Sequence, residues 1–156
     1  DGRRDRILDR LAAHDLVAIE AEAGDLADLG EEQRATIVAL AGLRGGPEVL
    51  ERARGLGGAA IERASASLAE TLGALEDAGI ADRVQVDFGL LRDLGYYTGA
   101  ILEVYDPAVG EAIGGGGRYD DLLGRFGSPR PAAGFALQLE RLHVAQAAEQ
   151  ALRERQ

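Results

Sequence analysis

Side chains that could surround a small polar ligand are concentrated in three segments of the second half of the chain. The first segment, residues 91–99, contains Arg92 and the adjacent Tyr96 and Tyr97. A half-buried guanidinium requires an anionic partner, which would be a bound anion or Glu103 on the following strand. Neighbouring residues of a strand face opposite sides, so one tyrosine is expected to pack while the other opens into a pocket. Core packing of both tyrosines is the alternative.

The second segment is a run of four consecutive glycines at residues 114–117, with Tyr119 two residues further on. Such a run indicates a close approach of the backbone to another group, or simply a tight strand-to-helix connection. It is not a phosphate-binding loop, because no Lys-Ser/Thr pair follows. In the third segment, residues 134–142, small and large residues alternate before a helix, where Arg141 could reach a phosphate or a ring. An ordinary amphipathic strand and helix is the alternative there.

Composition restricts the chemistry further. The 156 residues include 27 acidic and 17 basic side chains, for a formal net charge of −10, and no Cys. An acidic surface disfavours nucleic-acid phosphates, and without Cys there is no disulfide or thiolate metal site. No run approaches the roughly 18 apolar residues of a membrane span, and no signal-like segment opens the chain. We therefore expect no metal, no cofactor, no nucleic-acid or membrane partner, and a cytoplasmic location.

Apolar spacing divides the chain into a helical part and a strand-rich part. Helices are predicted throughout residues 1–80, most clearly at 59–78, and a closing helix at 139–153. Alternating patterns predict strands at 83–88, 97–105, 111–115 and 132–139. The inward positions of the two clearest helices are Ile61, Ala64, Leu68, Leu72, Leu75, Leu142, Ala145, Ala148 and Leu152. Strands joined by short turns predict an antiparallel sheet, and hence an α+β fold with a helical subdomain over 1–80 and a sheet-bearing core over 81–156.

In this order and spacing, the three segments resemble the second half of the histidyl-tRNA synthetase catalytic core. That core is a class II aminoacyl-tRNA synthetase fold, an antiparallel sheet flanked by helices. The corresponding family motifs read Arg-Gly-Leu-Asp-Tyr-Tyr, then Gly-Gly-Arg-Tyr-Asp, then Gly-Phe-Ala-x-Gly-x-Glu-Arg. The resemblance covers residues 83–145, and the helices of residues 1–80 look like the insertion that precedes this part of the core.

The resemblance implies roles for individual residues. The positions that correspond to histidine-binding residues of the family are Arg92, Tyr97, Gly115, Gly116, Gly117 and Tyr119. The arginine would lie over the amino-acid carboxylate, the phenols would hydrogen-bond an imidazole nitrogen, and the glycines would let the ring lie against a strand. Arg141 corresponds to the arginine that stacks over adenine, so it is a possible vestigial nucleotide-binding residue. The resemblance assigns no catalytic residue here.

Departures from the synthetase pattern point to a related family. Asp93 stands where synthetases have Gly, Gly95 where they have Asp, and Gln138 replaces a glycine near the adenine site. The chain has no counterpart of the earlier ATP-gripping segment, the dimer motif or the anticodon-binding domain, and it does not begin with Met, so we expect a piece of a longer protein. In these features the chain resembles the regulatory subunits of ATP phosphoribosyltransferase, which look like a synthetase core and do no aminoacylation.

That second resemblance implies a non-enzymatic subunit that senses histidine. It would activate a short-form catalytic ATP phosphoribosyltransferase subunit in a hetero-oligomer, relay feedback in histidine biosynthesis, bind L-histidine and form a homodimer. On its own, the present chain is expected to bind histidine weakly or not at all, and to dimerise or aggregate through an uncovered sheet edge. Two alternatives remain, namely a fragment of a catalytic histidyl-tRNA synthetase and an interaction remnant with a vestigial pocket.

Overall fold

The computed structural model describes residues 2–92 and 95–155, which fall into two compact units. The first unit is Asp1–Asp93 and the second is Leu94–Gln156. Phe88 packs against the core of the first unit, so the residues just after 80 belong structurally with the helices that precede them. A domain boundary after residue 80 stays a prediction.

The first unit consists mainly of helices. These are α1 (Gly2–Ala12), α2 (Leu16–Gly24), α3 (Glu31–Ala41), α4 (Val49–Gly55) and α5 (Ala59–Asp77). Asp15 caps α2, because its carboxylate accepts a hydrogen bond from the Ala18 amide at 3.0 Å. The helical character predicted for residues 1–80 is confirmed, and the helix predicted at 59–78 ends one residue early.

The core of the first unit lies between α4, α5 and a two-stranded ribbon. In the ribbon, β1 (Arg44–Gly45) pairs antiparallel with β2 (Val86–Asp87). The buried core residues are Leu43, Val49, Leu50, Ala53 and Val86, and α5 adds Ile61, Leu68 and Leu72 to them. The strand predicted at 83–88 is thus only two residues long and does not join the main sheet.

One inward position predicted for α5 is wrong. Ala64 is exposed, whereas its neighbour Ser65 is fully buried. Ser65 lies four residues after Ile61 and three before Leu68, which is the spacing of one helix face. The prediction chose the apolar Ala64 over the polar Ser65, and therefore placed this inward position one residue too early.

The second unit contains a three-stranded antiparallel sheet in the order β3-β4-β5. The strands are β3 (Ile101–Val104), β4 (Gly114–Arg118) and β5 (Ala133–Leu137), and α6 (Leu139–Arg153) follows directly. A 3₁₀ turn, Leu123–Phe126, lies between β4 and β5. The antiparallel order and the α+β class are confirmed.

The glycine run is itself the central strand, which corrects the prediction of a strand at 111–115 that ends in the glycines. Gly114 pairs with Val104 and Leu137, and Gly117 pairs with Ile101 and Gly134. A Cβ on Gly114 would lie 2.7 Å from the Ala136 carbonyl oxygen. Glycine has low strand propensity, but hydrogen bonds to strands on both sides hold this backbone extended, and the close neighbours leave no room for side chains.

α6 has the bounds predicted for it, and its inward face is nearly as predicted. Ala145 is buried, and Leu142 and Ala148 are half-buried. Leu152 is 61% exposed, so its predicted inward position is wrong. Over the parts of the chain that the structure describes, no helix is long and apolar enough to cross a membrane.

Candidate functional site

Three tyrosine rings cluster at one end of the sheet in the second unit. The centroids of Tyr96 and Tyr97 are 4.6 Å apart, and those of Tyr97 and Tyr119 are 6.2 Å apart. Tyr96 meets Tyr119 edge-on, with a centroid distance of 5.4 Å and an interplanar angle of 88°. All three side chains are half-buried. The cluster therefore presents phenol groups and ring surfaces at a partly open position.

Tyr96 and Tyr97 do not face opposite sides as predicted. Both rings turn toward Tyr119, because residues 96–98 lie outside any strand and β3 begins only at Ile101. Strand alternation does not apply to such a segment. The expectation that one tyrosine would pack while the other opened into a pocket therefore has no basis in strand alternation.

Backbone and side-chain hydrogen bonds join the tyrosine segment to the end of β4. The Thr98 amide donates to the Arg118 carbonyl at 2.9 Å, and the Asp120 amide donates to the Thr98 hydroxyl at 2.9 Å. Arg118 in turn donates through Nε to the Asp120 carboxylate at 2.7 Å. These bonds fix the residues next to Tyr97 against the residues next to Tyr119.

Glycines on β4 and β5 form the floor beneath the rings. A Cβ on Gly117 would lie 2.8 Å from Cδ1 and Cε1 of Tyr97, so that ring rests directly on the strand. A Cβ on Gly134, the β5 partner of Gly117, would overlap the Tyr119 hydroxyl oxygen. Gly115 shares this face with Gly117 by strand alternation.

Gly116 belongs to the other face of the sheet. A Cβ there would overlap the Gly134 carbonyl and come within 2.8 Å of Phe135 Cα. Of the predicted glycines, Gly115 and Gly117 are therefore on the tyrosine face, while Gly116 contributes only backbone to it. The sheet is thin here because side chains are missing on both faces of β4.

The two candidate arginines have different surroundings. Arg92 is half-buried in the first unit, so its place beside the tyrosines stays a prediction, as does its pairing with Glu103. Asp93, one of the departures from the synthetase pattern, lies outside the described residues. Arg141 donates through Nη1 to the Ala112 carbonyl at 2.7 Å and also pairs with the Glu111 carboxylate. A nucleotide at Arg141 would compete with these contacts.

Within residues 2–92 and 95–155, no group of three or more His, Cys, Asp or Glu side chains could hold a metal ion. The second unit offers groups suited to binding a ligand. Phenol hydroxyls can donate or accept hydrogen bonds, the rings can cover a flat ligand, and Gly115, which has no side chain, lets a ligand approach the backbone.

A family model described as histidyl-tRNA synthetase matches residues 1–142. The chain belongs to the histidyl-tRNA synthetase family. Two relatives are named ATP phosphoribosyltransferase regulatory subunit. The one from Moorella thermoacetica is 47% identical over 136 residues, which are 86% of this chain and 35% of the relative. The one from Desulforamulus reducens is 46% identical over 137 residues, or 86% of this chain and 34% of the relative.

Solved structures of this family share the fold. A protein from Bacillus halodurans, described as an ATP phosphoribosyltransferase regulatory subunit/histidyl-tRNA synthetase, is 30% identical with a TM-score of 0.83 over 94% of this chain and 38% of its own. A histidine–tRNA ligase subunit from Alicyclobacillus acidocaldarius is 27% identical with a TM-score of 0.76 over 96% of this chain and 49% of its own. The predicted synthetase-like fold is confirmed, and the chain spans about a third of the length of the curated relatives above.

Three residues that the sequence did not single out as site residues also shape this part of the synthetase-like fold. Tyr96 completes the ring cluster, Thr98 connects the tyrosine segment to β4, and Gly134 lies under the Tyr119 hydroxyl. The adjacency of two tyrosines was a signal for Tyr96. Gly134 begins the third segment, but no local pattern indicates its contact with Tyr119, which lies fifteen positions earlier, just after β4.

Proposed function

We propose that this chain contributes the histidine pocket of a regulatory subunit of ATP phosphoribosyltransferase. In this proposal the subunit does no catalysis itself. It associates with a short-form catalytic subunit, activates it, and relays feedback by histidine in histidine biosynthesis. The relatives that share this name at 46–47% identity support the assignment.

The observation that carries the proposal is the tyrosine cluster on its glycine floor. An imidazole ring is flat and carries two nitrogens, one a donor and one an acceptor in the neutral form. Phenol hydroxyls at Tyr97 and Tyr119 can hydrogen-bond those nitrogens. Gly117 makes room for the Tyr97 ring itself, and in the proposal Gly115 leaves space for the imidazole against β4. In the proposal Arg92 binds the carboxylate of the amino acid.

Regulation would follow from linkage between two binding equilibria. If histidine binds one quaternary state better than another, it shifts the complex toward that state by its difference in affinity. The same coupling changes the affinity for the catalytic partner. A homodimer and a cytoplasmic location are part of this proposal and rest on the resemblance to regulatory subunits.

Calorimetric titration of L-histidine into the complete gene product tests the site. Tyr119→Phe removes one hydrogen bond and is expected to weaken binding roughly tenfold, about 1.4 kcal/mol. Arg92→Ala removes the cation and is expected to weaken binding at least as much, because hydrogen bonds to charged groups are stronger.

Matched controls exist for both changes. Tyr105→Phe makes the same alteration at a tyrosine outside the ring cluster, and Arg125→Ala removes an exposed arginine. Both are expected to bind histidine like the wild type. Equal affinity in all five proteins, or no binding by the wild type, would rule the assignment out.

A catalytic histidyl-tRNA synthetase is the second candidate. The family model description and the double name of the Bacillus halodurans structure favour it. The engagement of Arg141 by Glu111 and Ala112 argues against it, because an arginine that stacks on adenine must be released first. Histidine-dependent exchange of pyrophosphate into ATP by the complete gene product would establish the second candidate, and its absence together with histidine binding would favour the regulatory subunit.

A further inference from the structure

Gly134 differs from the glycines of β4 in what surrounds it. The three atoms nearest to a Cβ placed on Gly134 all belong to the Tyr119 side chain, namely the hydroxyl oxygen, Cζ at 3.1 Å and Cε1 at 3.3 Å. At Gly114 and Gly116 the nearest atom is instead a backbone carbonyl oxygen of β5, and at Gly117 the Ala100 carbonyl oxygen and two Tyr97 ring carbons all lie 2.8 Å away. Backbone packing therefore excludes a side chain at Gly114 and Gly116, whereas a single phenol excludes one at Gly134.

Backbone conformation does not explain a glycine at this position. Gly134 lies inside β5 and is not among the glycines with positive φ. Glycine in a strand interior weakens the strand, since it adds entropy to the unfolded chain and contributes no packing. The glycine at position 134 therefore has a local cause, because a side chain there would displace the Tyr119 hydroxyl.

The position of that hydroxyl determines whether it can bind a ring nitrogen. Hydrogen bonds involving a hydroxyl have heavy-atom distances of about 2.5–3.0 Å and weaken steeply with misalignment. A methyl group at Gly134 would push the phenol away from the strand, and the shift needed to relieve the overlap exceeds this tolerance. The Tyr97 ring rests on Gly117 and not on Gly134.

We propose that Gly134 is a positioning residue that sets the depth of the Tyr119 hydroxyl, and through it the affinity of the site for a planar nitrogen heterocycle such as imidazole. This inference rests on the proposed function of the tyrosine site. Gly134 need not touch the ligand. It acts by leaving the space that the phenol occupies.

A double-mutant cycle on the complete gene product tests this role. L-Histidine affinity is measured calorimetrically for the wild type, Gly134→Ala, Tyr119→Phe and the double variant. Gly134→Ala is expected to weaken binding roughly tenfold in the wild-type background, as the loss of one hydrogen bond would. In the Tyr119→Phe background the hydroxyl is already gone, so the alanine is expected to change affinity by less than about twofold.

The thermal unfolding midpoints of the same proteins provide a second measurement. The double variant is expected to unfold at a higher temperature than Gly134→Ala, because the phenylalanine removes the overlapping oxygen. Gly110→Ala is the control, since a Cβ there meets nothing within 4 Å. It is expected to match the wild type in affinity and midpoint.

Several results would overturn the inference. An unchanged histidine affinity in Gly134→Ala would overturn the inference and leave the proposed histidine site intact. An equal loss of affinity in both backgrounds would also overturn it, because such a loss indicates a general weakening of the sheet. If Gly134→Ala and the double variant both failed to fold, the Tyr119 hydroxyl would not be the group that the alanine meets, because the phenylalanine has already removed it. A wild-type protein that binds no histidine would overturn both this inference and the proposed function.

Discussion

Two hydroxyl groups show how differently a single polar side chain can be used in this protein. The Thr98 hydroxyl accepts a hydrogen bond from the Asp120 amide and so holds the tyrosine segment in place. Ser65 is completely buried on the core face of α5, and its hydroxyl has no hydrogen-bond partner among the residues that the structure describes. Burial of an unsatisfied hydroxyl costs free energy, so Ser65 is a weak point of the first unit.

Ser65→Ala is therefore expected to increase the free energy of unfolding by about 1 kcal/mol, because the buried hydroxyl no longer loses its hydration. Urea unfolding followed by circular dichroism measures the change. Ser67→Ala is the matched control, since it makes the same substitution at an exposed position of the same helix and reports the gain in helix propensity alone. A smaller increase for Ser65→Ala than for Ser67→Ala would contradict the assignment of a desolvation cost.

At the scale of elements, the central strand β4 depends on glycine at successive positions. Its neighbours approach from both sides, and the atoms that would meet an added Cβ on Gly116 belong to the backbone of β5. A backbone cannot rotate away as a flexible side chain can. The strand therefore tolerates substitution poorly, although its sequence has low intrinsic strand propensity.

Gly116→Ala is expected to lower the free energy of unfolding by about 2 kcal/mol, within the range of overpacking in a well-packed interior. Chemical denaturation of the complete gene product measures it. Gly124→Ala, whose added Cβ would meet only ordinary contacts at 3.8 and 3.9 Å, is the control and is expected to have little effect. Equal stability of the two variants would show that β5 can move away from β4.

The same element shows why part of the fold could be predicted and part could not. α5 and α6 were predicted almost to the residue because leucine and alanine recur at helical spacing, which is a local property. β4 was predicted as a connection with only its start in a strand, because hydrogen bonds to β3 and β5 make it a strand and no local pattern encodes them. For the end of α6 the prediction was wrong at Leu152, which the spacing placed on the buried face but which is exposed.

The candidate site could likewise be predicted from the sequence only in part. The tyrosines and glycines were found because their residue types are unusual and closely spaced, and because they resemble family motifs. The floor under Tyr119 was not found, since Gly134 reaches that ring only through the register of β4 and β5. Pairing across strands, unlike periodicity along one strand, cannot be derived from a single sequence.

At the scale of the whole molecule, net charge and length bear on partners. The formal charge of −10 comes from 27 acidic and 17 basic residues, and this balance disfavours a nucleic-acid partner. The chain spans about a third of the length of its curated relatives, so in the proposed function regulation is a property of a larger assembly in which this segment supplies the histidine site. The proposed function then requires histidine binding to be coupled to association with the partner.

Coupling of this kind is reciprocal, which makes it measurable from either side. If histidine binding and association with a catalytic ATP phosphoribosyltransferase subunit are linked, the partner is expected to change histidine affinity by about 5–150-fold, and saturating histidine must change partner affinity by the same factor. Calorimetric titrations of histidine with and without the partner, and of the partner with and without histidine, measure both sides. Tyr119→Phe is the comparison variant, because it is expected to weaken histidine binding and therefore to need more histidine to produce the same shift. Identical histidine affinities with and without a bound partner would mean that the pocket binds histidine without regulating anything, and regulation would then have to arise outside this segment.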